Sequence, residues 1–268
     1  LPKILTQHGP LIDSKATPEA AVAIRHIGTA EIRAALREGY ADFLAIPTQL
    51  VFLCVLYPVV GLVLARAASG DALLPLVWPL IAGLSLVGPV AAVGLYEISR
   101  RREVGQEVSW VTAFEVLRNP NFPAIAALGV LLMAVFVVWI GVAQLIFGAT
   151  LGALPLHSVG EIVQAAFTTR QGVLLLLLGN FAGFLFAFGV LVLTVISVPM
   201  LLDRNVTLAT AIRTSVAACR ANPGAMALWG LIVAALLLAG SLPAFIGLAV
   251  AMPVLGHATW HLYRRVVA

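Results

Sequence analysis

Pro253-Val-Leu-Gly-His257-Ala-Thr-Trp260-His261-Leu-Tyr-Arg264-Arg265 closes an apolar run near the end of the chain, and Pro89-Val-Ala-Ala-Val-Gly-Leu-Tyr96-Glu97-Ile-Ser-Arg100-Arg101 has the same construction. In both, an apolar segment carrying a proline runs into an aromatic residue, a polar residue and paired arginines. That is the order in which a membrane helix leaves the bilayer on its positive side: hydrocarbon, an amphipathic ring at the headgroups, then cations in water. Two such exits in one chain indicate several spans and an internal repeat.

Composition agrees. Of 268 residues, 61% are hydrophobic and 10% are charged, with a mean hydropathy of +1.04, whereas soluble domains carry about 25% charged residues. Uncharged stretches cover 43–65, 72–96, 121–156, 171–202 and 221–256, and a spanning helix needs roughly 20 apolar residues. The last stretch would reach about 54 Å as one helix, against a hydrocarbon core of ~30 Å. It therefore reads as a hairpin turning at Gly240-Ser241-Leu242-Pro243, where glycine and proline interrupt the helix. The helix from residue 121 is expected to end near Gly148, with Gly152 and Pro155 in the loop that follows. The expected fold is all-α and polytopic: a polar arm over 1–28, then a six-span transmembrane domain over 29–268. Its spans fall at about 44–66, 73–98, 122–147, 173–201, 222–239 and 243–263.

Under that arrangement all 16 lysines and arginines except Arg66 and Arg170 share one face. The asymmetry predicts a multi-pass protein with both termini cytoplasmic. The net charge of +4 is matched by anionic lipid headgroups and implies no nucleic-acid partner. Residues 1–14 lack the apolar core of a cleavable signal, so none is expected there. Cys54 and Cys219 have no metal or disulfide spacing and read as small buried hydrophobes.

An amphipathic segment precedes each pair of spans. Thr29 caps the first, which places Ile32, Leu36, Tyr40 and Phe43 on one face; the second, 109–119, places Trp110, Phe114 and Leu117 together; the third, 207–222, places Leu208, Ile212, Val216 and Cys219 together. The last two end in Asn119-Pro120 and Asn222-Pro223, because the residue before proline is pushed out of the helical region. Each unit is thus a cytoplasmic interfacial helix, a span, an outer turn and a second span marked by Pro89, Pro199 or Pro253. Three units running the same way predict three parallel helical hairpins about an axis along the membrane normal. Unit two differs by an outer amphipathic insertion over 157–170, with Val159, Ile162, Val163, Ala166 and Phe167 as its apolar side.

The stretches beginning Gly88-Pro-Val-Ala-Ala-Val-Gly-Leu-Tyr, Ser197-Val-Pro-Met-Leu-Leu-Asp-Arg204, Asn222-Pro-Gly-Ala-Met-Ala-Leu-Trp-Gly230 and Val254-Leu-Gly-His-Ala-Thr-Trp-His-Leu-Tyr-Arg264 resemble a family of uncharacterised proteobacterial integral membrane proteins. The resemblance runs from about residue 28 onward and implies a bacterial inner-membrane location. Some relatives carry a label linking them to a cytochrome oxidase subunit. A haem-copper catalytic subunit needs many intramembrane histidines, and only His257 and His261 lie near a span here.

His257 and His261 are four residues apart and share a helical face, a spacing able to hold zinc, copper or haem iron. Superposing the units puts Glu97 at the position of His261 and Asp203 at that of His257, so a metal site of all four is one expectation. The other is that these groups pair with neighbouring arginines and tie helix ends together, with Tyr96, Trp260 and Tyr263 in the interfacial belt. Gln49, Gln144 and Asn180 are polar groups within spans, suited to interhelical hydrogen bonds or to a solute path. Gly179 and Gly183 form a small-xxx-small face for close packing inside the protein or against a partner. Pro58, Pro79, Pro89, Pro199 and Pro253 are kink positions, yet no mid-membrane charged pair of the kind ion coupling uses accompanies them.

No zinc-protease, nucleophile-elbow, phosphate-loop or Cys-x-x-Cys motif occurs, so catalysis is not expected. Three functions remain: a non-catalytic accessory or assembly subunit of a larger inner-membrane complex, plausibly respiratory; a small-solute transporter or channel; and metal or haem binding at His257 and His261. The expected partners are membrane lipids and other integral membrane subunits, with no resident cofactor beyond lipid on the leading reading.

Overall fold

The computed structural model describes residues 22–46, 79, 89, 92–156, 158–242 and 246–268. All but the first three residues of the expected span 44–66, nearly all of 73–92, the first 21 residues of the arm, and Gln49, Cys54, Pro58 and Arg66 lie outside the described residues. Among those described, the elements are α1 (Thr29–Ala45), α2 (Val93–Glu103), a 3₁₀ helix (Trp110–Arg118), α3 (Phe122–Thr150), α4 (Val159–Thr168), α5 (Arg170–Thr194), α6 (Ser197–Asp203), α7 (Leu208–Ala221), α8 (Pro223–Ser241) and α9 (Leu248–Val266). One antiparallel bridge, Ile24 to Val267, joins the two ends.

Three of these stretches are long and apolar enough to cross a membrane: Phe122–Thr150, Arg170–Asp203 and Pro223–Ser241. Their outer sides expose Val130, Val137, Leu145, Leu177, Phe181 and Leu231, a surface that suits lipid and not water. Proline opens α8 at its first position, where its missing donor costs nothing. Near the turn expected at residue 240, α8 ends at Ser241 and α9 begins at Leu248, with the Gly240 and Gly247 backbones in close approach; Pro243 lies outside the described residues.

The sixth expected span departs from its 243–263 bounds. Its helix, α9, begins at Leu248 and carries Gly256, His257, Thr259, His261 and two terminal arginines. It is too polar to count among the three because most of its sides face protein: Ala251, Leu255, His257, Ala258, Trp260 and Leu262 are all buried.

The fourth expected span, 173–201, is broken at Val195–Ile196. Pro199 has no N–H to give to the carbonyl four residues back. A second cause comes from α7, whose Ser215 hydroxyl donates to Val192 O at 2.7 Å and accepts from Ile196 N at 3.3 Å. Those are the two groups that would bond each other in a continuous helix, so the serine hydroxyl stands inside the ladder, a recognised origin of kinks.

At the arginine-rich end α2, α6 and α9 pack on one another, and each has an amphipathic helix against it: the 3₁₀ helix on α2, α7 on α6 and α1 on α9. The buried faces of these outer helices are not the ones that counting large apolar residues predicts. On α1, Tyr40 is exposed and the buried set is Ile32, Ala35, Gly39, Asp42 and Phe43. On α7 the buried set is Ala211, Thr214, Ser215 and Ala218, with Ile212, Val216 and Cys219 only half-buried. Trp110, Phe114 and Leu117 of the 3₁₀ helix are exposed. Small residues allow close helix approach and so face protein, while bulky apolar ones suit lipid.

Two asparagines of the Asn-Pro regions hold the junctions. Asn222 accepts from Ile27 N at 2.8 Å and donates to Arg25 O at 3.1 Å, which fixes the last part of the arm as extended chain beside the C-terminal residues. Asn121 donates to Leu201 O and Arg204 O at 3.1 and 2.6 Å.

Candidate functional site

Three buried polar side chains, Asp42, Ser99 and His257, come together where α1, α2 and α9 meet. Gly39 makes that meeting possible: a Cβ there would fall on the backbone of Ala258. Gly256 does the same on the α2 side, where a Cβ would strike Leu95. With the helices this close, Glu38 and Asp42, four apart on α1, face His257 and His261, four apart on α9.

His261 lies between two carboxylates, with Nε2 2.9 Å from Asp42 Oδ2 and Nδ1 3.2 Å from Glu38 Oε2. Arg102 approaches Asp42 Oδ1 at 3.4 Å, and Arg265 donates to Glu38 at 2.6 Å. Ser99 on α2 donates to Asp42 Oδ2 at 2.6 Å and lies 2.8 Å from His257 Nδ1. Burial alone would raise the Asp42 carboxyl. The hydrogen bonds from His261 and Ser99 and the charge of the nearby imidazole outweigh it, and the carboxyl is held below its ordinary value. His257 is fully buried, and its Nε2 has no hydrogen-bond partner.

Glu97 and Asp203 do not join the histidines, so the expected four-group convergence does not form. Glu97 is buried and bound by Arg100 and Arg101 at 2.7 and 2.6 Å, with Arg101 also paired to Glu115. Asp203 accepts from Tyr263 at 2.7 Å and Arg264 at 3.4 Å. These pairings follow the alternative expectation, in which arginines and carboxylates tie helix ends together. Among the described residues no three His, Cys, Asp or Glu side chains are placed to hold a metal ion. Tyr96 and Trp260, expected in the interfacial belt, are buried. The Trp260 indole donates to Glu103 at 3.0 Å, so protein supplies the polar contact that headgroups would otherwise provide.

The remaining candidates are dispersed. Pro199 and Pro253 are buried inside α6 and α9, and Pro89 borders a cavity of about 130 Å³ that Tyr96, Leu191, Trp229, Met252 and Thr259 also line. Gln144 and Asn180 are exposed and do not line it, and the Asn180 amide donates to Leu176 O of its own helix at 2.7 Å. They neither share this cavity nor bridge helices, while Gln49 lies outside the described residues. Gly183 packs beside the Trp139 ring, whereas Gly179 faces open space. Glu38, Asp42 and Ser99 were not among the sequence-derived candidates. The available signal was the carboxylate pair at the same four-residue spacing as the histidine pair.

The helices apolar enough to span a membrane, joined by a charged junction at one end, define a helical integral membrane protein. Residues 77–203 match a family described as predicted integral membrane protein (DUF2189). Neither a curated protein nor a solved structure matches the chain.

Proposed function

We propose that the protein is a non-catalytic accessory or assembly subunit of a larger complex in a bacterial inner membrane, plausibly respiratory, with its arginine-rich end in the cytoplasm. The observation that carries this reading is the exposure of two carboxamides, Gln144 on α3 and Asn180 on α5, within helices apolar enough to span a bilayer. The two helices are antiparallel, with Trp139 level with Gly183. Gln144 and Asn180 then lie about 7.5 and 4.5 Å further toward the outer end, within about 3 Å of one depth. An amide facing hydrocarbon is costly, and a partner helix offering a hydrogen bond relieves the cost.

The packing order also supports a three-unit ring. The 3₁₀ helix lies on the α2 that precedes it, α7 lies on the preceding α6, and α1 lies on α9. Each amphipathic helix thereby covers the helix that ends the unit before it, and on this reading the first unit closes on the third.

The test is purification in gentle detergent from the source membrane, followed by mass spectrometry, for the wild type and the Gln144→Leu/Asn180→Leu double variant. The expected result is a fixed-ratio complex for the wild type and a folded, solitary protein for the variant. Solitary recovery of the wild type, or an undiminished complex in the variant, would overturn the proposal.

A further inference from the structure

We propose that the pocket between the ends of α2 and α6 and the start of α3 binds a phosphate group. Arg100, Asn119, Asn121, Asp203, Arg204 and Asn205 line it, and its volume is about 280 Å³. That is just under the ~300 Å³ at which sites for drug-sized molecules begin, so it suits a headgroup and not a large solute. Glu97 orients Arg100 by accepting from its Nε and Nη2 at 2.8 and 2.7 Å. The Ala268 carbonyl orients Arg204 by accepting from its Nη2 at 2.6 Å. A guanidinium has five N–H donors, so each arginine is fixed in direction and still keeps donors for a ligand. The carbonyls at the end of α6 would repel an anion, but the amides of Asn119 and Asn121 already occupy those of Leu201, Leu202 and Arg204.

Charge and level select the ligand. The wall carries two arginines against one carboxylate, and Asp203 is engaged by the Tyr263 hydroxyl at 2.7 Å and by Arg264 at 3.4 Å. Behind Arg100, Glu97 is shared with Arg101 at 2.6 Å. Arg118 adjoins Asn119 in the chain, is exposed, and has no ion-pair partner among the described residues. A monoanion matches the surplus, and the planar arginine fork fits the oxygens of phosphate and carboxylate alike. Level decides between them. Asn121 immediately precedes α3, a helix apolar enough to span a membrane, so the pocket sits where the apolar run begins. The anion that a bilayer carries at that level is the phosphodiester of its lipids. Basic pockets between membrane helices at the cytoplasmic face, where the reading above puts this end, hold such headgroups. The 3₁₀ helix that ends at Arg118 exposes Trp110, Phe114 and Leu117, apolar surface suited to the lipid's chains.

The experiment titrates full-length protein in a non-ionic detergent with two probes, dihexanoylphosphatidylglycerol and inorganic phosphate, each followed by its phosphorus NMR line. The expected result is a line that shifts and broadens saturably with the lipid and far less with inorganic phosphate. Saturation by inorganic phosphate alone keeps the phosphate site and assigns it to a soluble ligand. Arg204→Gln should weaken binding about tenfold, the worth of a charge-assisted hydrogen bond. Asn205→Asp is the variant that leaves the fold alone, because this side chain is exposed and makes no hydrogen bond among the described residues. It sets an anion on the wall and should weaken binding at least as much, whereas Arg213→Gln, exposed on α7 and outside the pocket, should change nothing. No saturation with either probe, or equal affinity in the wild type and Asn205→Asp, overturns the proposal.

Discussion

Asp42 on α1 and His261 on α9 are 219 residues apart in sequence and share a hydrogen bond of 2.9 Å. Asp42 is buried and His261 half-buried, and removing one partner of such a pair strands the other. Asp42→Asn should destabilise the protein by about 3–5 kcal/mol, measured as a fall in the denaturation midpoint in detergent. Asp42→Asn combined with His261→Leu should cost less than the sum of the two single variants, because the second change removes the stranded imidazole.

The same carboxyl sets an acid limit. Its folded value lies below the ordinary 3.8, so in acid the unfolded chain takes up the proton first. Its contribution is complete above the ordinary value and disappears as pH falls through the depressed one. The stability difference between the wild type and its Asp42→Asn derivative should be present above pH 3.8 and shrink toward zero below it. Thermal melts of the two proteins over that interval check it.

Gly39 is the closest contact of the junction. Gly39→Val forces side-chain carbon onto the Ala258 backbone, where no flexible group can move aside. The expected penalty is at or above the usual 1–3 kcal/mol of overpacking. Because the damage is confined to the α1–α9 seam, cross-linking between cysteines placed across it should be lost while the α3–α5 pair remains intact.

Asn222→Ala removes the acceptor of Ile27 N and the donor to Arg25 O. Leaving such groups without partners costs about 1–3 kcal/mol. The extended segment before α1 should then detach. Limited proteolysis would detect this as new cleavage after Arg25, with α7 and α8 still protected.

Much of the architecture was legible in the sequence. The boundaries of α3, the end of α8 just after Gly240 and the ends of the amphipathic helices at Asn119 and Asn222 follow from apolar length and from proline chemistry. The buried faces were less legible, since counting large apolar side chains assumes water outside. In lipid the rule inverts: Tyr40 and Phe114 face outward while Gly39, Ala211 and Ser215 face inward. The break at Val195 was half visible, because Pro199 announces it but the Ser215 hydroxyl that completes it belongs to another helix. The junction was half visible as well. The His257–His261 spacing stands out, whereas Asp42 acquires meaning only once α1 is known to lie against α9.

The pairing of α1 with α9 also imposes an order of events during synthesis. The helix that presents Glu38 and Asp42 is made long before His261 and Arg265, so the nascent chain carries an acidic face matched only in part, by Ser99 and Arg102, until α9 is made. Final closure is then a late step in which the last helix recruits the first, and a ribosome product stopped short of α9 would display that acidic face as a mark of incomplete assembly.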